Sequence, residues 1–154
     1  MPSRRDQIVM SDDEVHEFLQ NSKTMALATL SSSGSPHLVA MWFCLVDGYV
    51  TFWTFAKSQK AVNLRRDPRA TILVESGEEY NNLKGVEVIG ECELLDDHEV
   101  VLSIGRALFL RYMGDLHSQE ELDAFLATAP KRVGFRLIPK AVVSWDHSKL
   151  GGVY

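Results

Sequence analysis

Asp47-Gly48 stands between two apolar runs, His37 to Val46 and Tyr49 to Thr54, and this pair most restricts what the chain can fold into. Asp-Gly between apolar segments marks a two-residue hairpin turn, because both central positions take positive φ. The two runs therefore read as antiparallel strands. Thr24 to Leu30 reads as a strand before them, with Ser31-Ser32-Ser33-Gly34-Ser35 as its turn, so that three strands form a meander. Beyond Pro68, Arg69 to Glu75 reads as a fourth strand, and Val86 to Leu94 alternates apolar and polar residues as a fifth. Arg132 to Ile138 and Ala141 to Trp145 read as two last strands separated by Pro139-Lys140.

The helices expected between these strands are short. Ser11-Asp12-Asp13-Glu14 is a capping box, followed by Val15, Phe18 and Leu19 on one helical face. Asp96-Asp97-His98-Glu99 caps a helix to about Tyr112, with Val100, Val101, Ile104, Ala107 and Leu108 on its buried side. A second helix follows from Gln119 to Ala127. Seven mostly hairpin-connected strands with short helices predict a mainly β fold, an antiparallel β-barrel with helical insertions. An open α+β sandwich satisfies the same string, since closure leaves no mark on periodicity. Residues 1–10 read as an N-terminal extension and 11–154 as a single domain, large enough to bury roughly 70% of its unfolded surface.

Several kinds of chemistry find no support. Cys44 and Cys92 lie inside apolar strand-like runs with no Cys-x-x-Cys spacing, so they read as core residues. Glu87, Glu91 and Glu93 share one strand face without a histidine at ligand spacing, which reads as a solvated face; no metal site is expected. Ser103 and the serines of the Ser31 to Ser35 turn lack a local histidine partner, which leaves hydrolase readings unsupported. No stretch has the length of a signal peptide core or a membrane span, so the expectation is a cytoplasmic protein with no membrane contact.

The segment from Ser58 to Asp67 carries the main functional signal. Ser58 is a good N-cap, Asp67-Pro68 a good stop, and Gln59 to Arg66 contains no breaker, which predicts a helix. Lys57 and Lys60 then sit at its start, the end whose dipole is already positive. From Lys57 to Arg69 the balance is +4 inside a chain of net charge −5. Free N–H groups of the first turn, the Ser58 hydroxyl and two ammonium groups would together cradle a phosphate. The alternative is a solvated surface whose misplaced charge is tolerated. One localised basic spot in an acidic chain suits a small anion and gives no expectation of nucleic acid as a partner.

Several segments together resemble the split-barrel flavin and deazaflavin oxidoreductases related to pyridoxamine 5′-phosphate oxidase. They are Ala26 to Leu30, Gly34 to Leu38, Met41-Trp42-Phe43, Phe52-Trp53-Thr54, Ser58 to Arg69 and Gly85 to Gly90. The resemblance runs from about residue 11 to 150 and implies an FMN-binding type of split barrel. It also implies a homodimer with two cofactors at the interface. By position, Trp53 and Thr54 would line the cofactor, Ser58, Gln59 and Lys60 would hold its phosphate, and Lys57 would add charge. Asn63 would bond the cofactor chain or hold the next strand. Met41, Trp42 and Phe43 would contact the ring system or belong to the barrel core. Trp145 and Lys149 are candidates for residues supplied by the partner chain.

The run Ser58 to Arg69 and the ending Ser144 to Leu150 look like actinobacterial members that use coenzyme F420, with FMN as the alternative cofactor. The implied chemistry is hydride delivery from reduced deazaflavin to a conjugated small-molecule acceptor. Tyr80, His37, His147 and water are the candidate proton donors. A carrier or sensor of such a cofactor is the rival reading. Pyridoxamine phosphate oxidase activity itself is not expected, because the tail from Trp145 to Tyr154 lacks that enzyme's arginine- and histidine-bearing ending.

Overall fold

The computed structural model describes residues 3–115 and 117–152; Met1 and Pro2 of the expected extension and Val153 and Tyr154 of the tail lie outside them. Seven strands form one antiparallel sheet: β1 (Met25–Leu30), β2 (Pro36–Met41), β3 (Cys44–Val46), β4 (Tyr49–Phe55), β5 (Arg69–Ser76), β6 (Lys84–Leu95) and β7 (Arg132–Asp146). Their order is β2-β1-β5-β6-β7-β4-β3, and the sheet curls into a half-barrel of the split-barrel type. Five helices accompany it: α1 (Arg4–Ile8), α2 (Asp12–Asn21), α3 (Gln59–Arg66), α4 (His98–Met113) and α5 (Gln119–Leu126). Among the described residues no helix is long and apolar enough to cross a membrane.

The strand count matches the sequence reading, but two offsetting differences produce it. The run His37 to Val46 is two strands, because the chain breaks at Trp42-Phe43. Its halves lie at opposite edges of the sheet, β2 against β1 and β3 against β4, so the expected three-stranded meander is really two separate hairpins. An unbroken apolar run has no period with which to mark such a break. The Tyr112 hydroxyl secures the seam, accepting from the Phe43 N–H (3.0 Å) and donating to the Lys23 carbonyl (2.6 Å). Phe43 itself is fully buried.

Conversely, the two last strands expected on either side of Pro139-Lys140 are one continuous strand. β7 pairs with β6 from Asp146 to Gly134, and the register slips once, where Ile89 faces Ala141 but Gly90 faces Pro139. Lys140 is the extra residue of a β-bulge, and a bulge tolerates proline because no ladder N–H is needed there. Asp47 (φ 52°) and Gly48 (φ 81°) both take positive φ, as the hairpin reading requires.

Two apolar cores lie on the two faces of this sheet. Inside the curl, Met25, Leu27, Phe52, Ile72, Val86 and Phe135 meet Leu64 of α3 and Leu19 of α2. On the outer face of β3 and β4, Cys44 and Trp53 pack under Val101, Ile104 and Leu108 of α4. Burial raises the Cys44 thiol to about 11 and the Cys92 thiol to about 12, which leaves both as inert core residues. The carboxylates of β6 face β7 cations, with Glu91 on Lys140 at 2.6 Å and Glu93 on Arg136 at 4.0 Å. At the N-terminus, Met10 is buried and its N–H donates to the Ser144 hydroxyl on β7 (3.0 Å).

The bulge leaves no room at Gly90, where an added Cβ would stand 2.0 Å from the Ile138 carbonyl oxygen. Backbone cannot yield there without undoing the register slip. Gly90→Ala is expected to lower the unfolding free energy by about 2–4 kcal/mol, measured by urea denaturation; an unchanged midpoint would show that the bulge can relax.

Candidate functional site

The start of α3 is built by local hydrogen bonding. β4 ends at Phe55, whose carbonyl accepts the Ser58 N–H (2.9 Å), while the Ala56 N–H reaches across to the Lys131 carbonyl (2.9 Å). Ser58 has extended backbone and caps the helix, accepting the Ala61 N–H at 3.4 Å, with the Thr54 hydroxyl 3.1 Å away. The first turn of α3 contains no acidic residue.

The five basic residues of this segment divide sharply by position. Arg65 donates to the Ala56 carbonyl, Arg66 to the Leu30 carbonyl, and Arg69 pairs with Asp67 at 2.6 Å. Arg66 and Arg69 sit at the negative end of the helix, where cations belong, whereas the Arg65 guanidinium reaches back to the backbone before the helix start. Lys57 and Lys60 at the positive end pair with no carboxylate among the described residues. Lys57 is exposed and Lys60 half-buried. Burial, and then the charge of Arg132, hold Lys60 below the usual lysine range.

Arg132 did not figure in the sequence reading of the site. It opens β7 directly opposite Phe55, and its guanidinium lies 4.0 Å from the Phe55 ring centroid and 4.5 Å from that of Trp53. Only the β4–β7 pairing brings it to the start of α3, and nothing local to residue 132 signals that pairing.

The remaining candidates separate into groups. Thr54, Lys57, Ser58, Gln59 and Lys60 cluster at the helix start, and Trp53 adjoins them from below. Its ring is buried against Phe125 (centroids 5.1 Å apart) and fits only because position 105 is glycine. Asn63 is fully buried and holds a strand: it donates to Thr29 of β1 (3.0 Å) and accepts from Gln59 (2.8 Å). Met41 packs against the inner core, and Trp42 stacks on Tyr112 with centroids 4.2 Å apart. Trp145 and Lys149 lie toward the opposite end of β7 from Arg132. There Trp145 covers Gly85, and Lys149 binds Glu14 (2.7 Å) and the Val9 carbonyl, pinning the N-terminal segment within the same chain. His147 also lies there, its Nδ1 2.8 Å from the Tyr80 carbonyl oxygen, whereas His37 faces Thr29 across the β1–β2 ladder.

The model of the family described as pyridoxamine 5′-phosphate oxidase matches residues 11–146. Among solved structures, the chain is similar to a conserved hypothetical protein, Rv2991, from Mycobacterium tuberculosis. The two are 41% identical with a TM-score of 0.91, covering 99% of this chain and 95% of that one. An F420 reductase is 25% identical with a TM-score of 0.65, covering 82% of this chain and 94% of that one. HutZ, a heme storage protein from Vibrio cholerae, shares the fold at 21% identity and a TM-score of 0.69, covering 89% of this chain and 97% of that one. No curated protein matches the chain.

The lowered Lys60 has a consequence for stability without ligand. Because the folded state disfavours its charge, Lys60 destabilises the fold while protonated, and the penalty fades as pH rises from its folded value toward the unfolded value of about 10.4. Ligand-free Lys60→Gln is therefore expected to be more stable than the wild type at pH 7, by about 0.3–1 kcal/mol in low salt. Urea denaturation should show that advantage shrinking toward pH 10; a variant less stable at every pH would contradict the assignment.

Proposed function

The chain belongs to the pyridoxamine 5′-phosphate oxidase family, and from that premise we propose that it binds coenzyme F420 and reduces a conjugated small-molecule acceptor. The observation that carries this reading is the pair of lysines at the start of α3, which pair with no carboxylate among the described residues, beside a capping serine and free helix N–H groups. Such a cradle fits the phosphate of the cofactor. The similarity to an F420 reductase supports the choice of F420; FMN, whose phosphate would use the same groups, is the alternative.

When bound in its reduced form, the deazaflavin supplies a hydride for an electron-poor double bond. The chain's own residues bind and orient. Ser58 and the first-turn N–H groups donate to the phosphate, and Lys57 and Lys60 neutralise it. Asn63 fixes the helix to β1, so these donors are held in place before any ligand arrives. Holding the cofactor in this way would aid the reaction through orientation, and a proton, from water or a side chain, must follow the hydride to complete reduction of the double bond.

We propose further that the chain is a homodimer with the cofactor at its interface. The sheet's outer face supports this: Leu38, Ala28, Thr71, Ile89 and Ala141 stand opposite one another across five strands as an apolar row. Leu38 is 69% exposed and Ile89 39%, so this row offers apolar surface that a partner could cover.

Fluorescence titration of the cofactor-free protein with F420, and separately with FMN, tests the reading, with light scattering recording the dimer in the same samples. Tight, salt-sensitive F420 binding is expected, and Lys60→Ala should weaken it by about 1–3 kcal/mol. Preference for FMN would make the chain a flavoprotein, and binding of neither would remove the functional reading. If bound reduced F420 is not oxidised faster by any enone or quinone, the protein is a carrier.

A further inference from the structure

We propose that Arg132 is a third cation of the anion site, gripping the phosphate-bearing end of the ligand from the side opposite α3. This inference rests on the cofactor reading above and extends it to a residue from a distant strand. Three observations carry it. First, Arg132 is pre-organised: its Nε donates to the Thr128 hydroxyl (2.9 Å), and its plane lies over the Phe55 and Trp53 rings. A guanidinium fixed by one nitrogen and by stacking loses little freedom on binding a ligand.

Second, its two Nη nitrogens have no acceptor among the described residues, although neither is sealed from the surface. Arg65 and Arg66 of α3 each place one terminal guanidinium nitrogen on a backbone carbonyl, whereas neither Nη of Arg132 is so used. A fork of free N–H groups in fixed geometry matches two oxygens of one phosphate or carboxylate. Third, Arg132 repels Lys60, and both are half-buried, with no carboxylate paired to either among the described residues. Two cations beside a helix N-terminus call for a group of about two negative charges. A phosphate monoester meets that need, as does a phosphodiester with a neighbouring carboxylate.

The ligand's anionic end is therefore held between two walls, Ser58 and Lys60 on one side and Arg132 on the other. Phe55, 48% exposed beneath the guanidinium, forms the apolar floor next to it. Neutralising Arg132 should then affect phosphate-bearing ligands and spare those that lack phosphate.

The test is a fluorescence titration of the cofactor-free wild type, Arg132→Gln and Arg132→Lys with four probes. These are F420, its phosphate-free deazaflavin-ribitol fragment, FMN and riboflavin. For whichever phosphate-bearing probe the wild type binds, Arg132→Gln is expected to weaken binding about 10- to 100-fold and to flatten its salt dependence. The phosphate-free partner should change less than about twofold. Arg132→Lys keeps charge and stem but loses the fork, so it should fall between the two. That variant also serves if Arg132→Gln fails to fold for want of its stacking contacts.

Unchanged affinity for the phosphate-bearing probe in both variants overturns the inference. So does an equal loss for the phosphate-free probe, which would make Arg132 only a packing residue over Trp53. If the wild type binds none of the four, the cofactor reading itself fails, and the two failures are told apart by the wild-type arm alone.

Discussion

The ladder between β6 and β7 is the constraint on which the rest of the structure depends. It runs the whole length of β6, and the bulge at Lys140 adds local twist to a sheet that already coils. That twist lets one strand serve both halves of the fold. The distal end of β7 meets Lys84 and the N-terminal segment, while its first residues turn to pair with β4. Because β4 leads directly into α3, the same ladder determines which β7 side chain faces the helix start, and that side chain is Arg132. Glycine at position 90 is the local condition for this arrangement, since any side chain there would collide with the bulged backbone.

The charges around α3 show where this fold departs from its own stability optimum. At the C-terminal end every cation finds an oxygen, and the arrangement favours the folded state. At the N-terminal end two lysines and an arginine gather against a positive dipole, and none of them pairs with a carboxylate among the described residues. Each misplaced charge costs about 0.3–1 kcal/mol at most in water, so the fold tolerates them. Yet the neighbouring polar groups are not loose: buried Asn63 accepts from Gln59 and donates to buried Thr29, which anchors the helix to β1. Rigid support beneath unsatisfied charge is the arrangement expected where ligand binding, and not folding, sets the requirement.

Much of this was legible in the sequence, for reasons that can be named. The Asp47-Gly48 turn, the Ser11 and Ser58 caps and the alternation in β6 are local signals, and each is realised. Lys57 and Lys60 could be singled out because the helix start and the charge lie within four residues of each other. What stayed hidden depends on pairing between distant segments. The apolar run from His37 to Val46 carries no mark of the break at Trp42-Phe43, since no turn residue stands there and Val39, Met41, Phe43 and Leu45 all meet the inner core across it. Pro139 reads as a strand break because proline removes a ladder N–H, whereas the bulge makes that loss harmless. Arg132 could not be connected to Ser58 at all, since 73 residues separate them in the chain and only the β4–β7 ladder closes that distance.

The shared fold does not choose the ligand, because an F420 reductase and a heme storage protein both superpose on this chain; the choice lies in the site. Heme iron needs an axial ligand such as histidine, cysteine, methionine or tyrosine. Residues 53–64, which include the cap, the lysines and the buried asparagine, contain none of these four. What that segment offers instead is a hydroxyl, free backbone N–H groups and ammonium groups, all of them donors to oxygen anions and poor partners for a metal. The two cysteines are buried within the apolar cores. On local chemistry, then, the start of α3 is suited to an oxygen anion such as a phosphate.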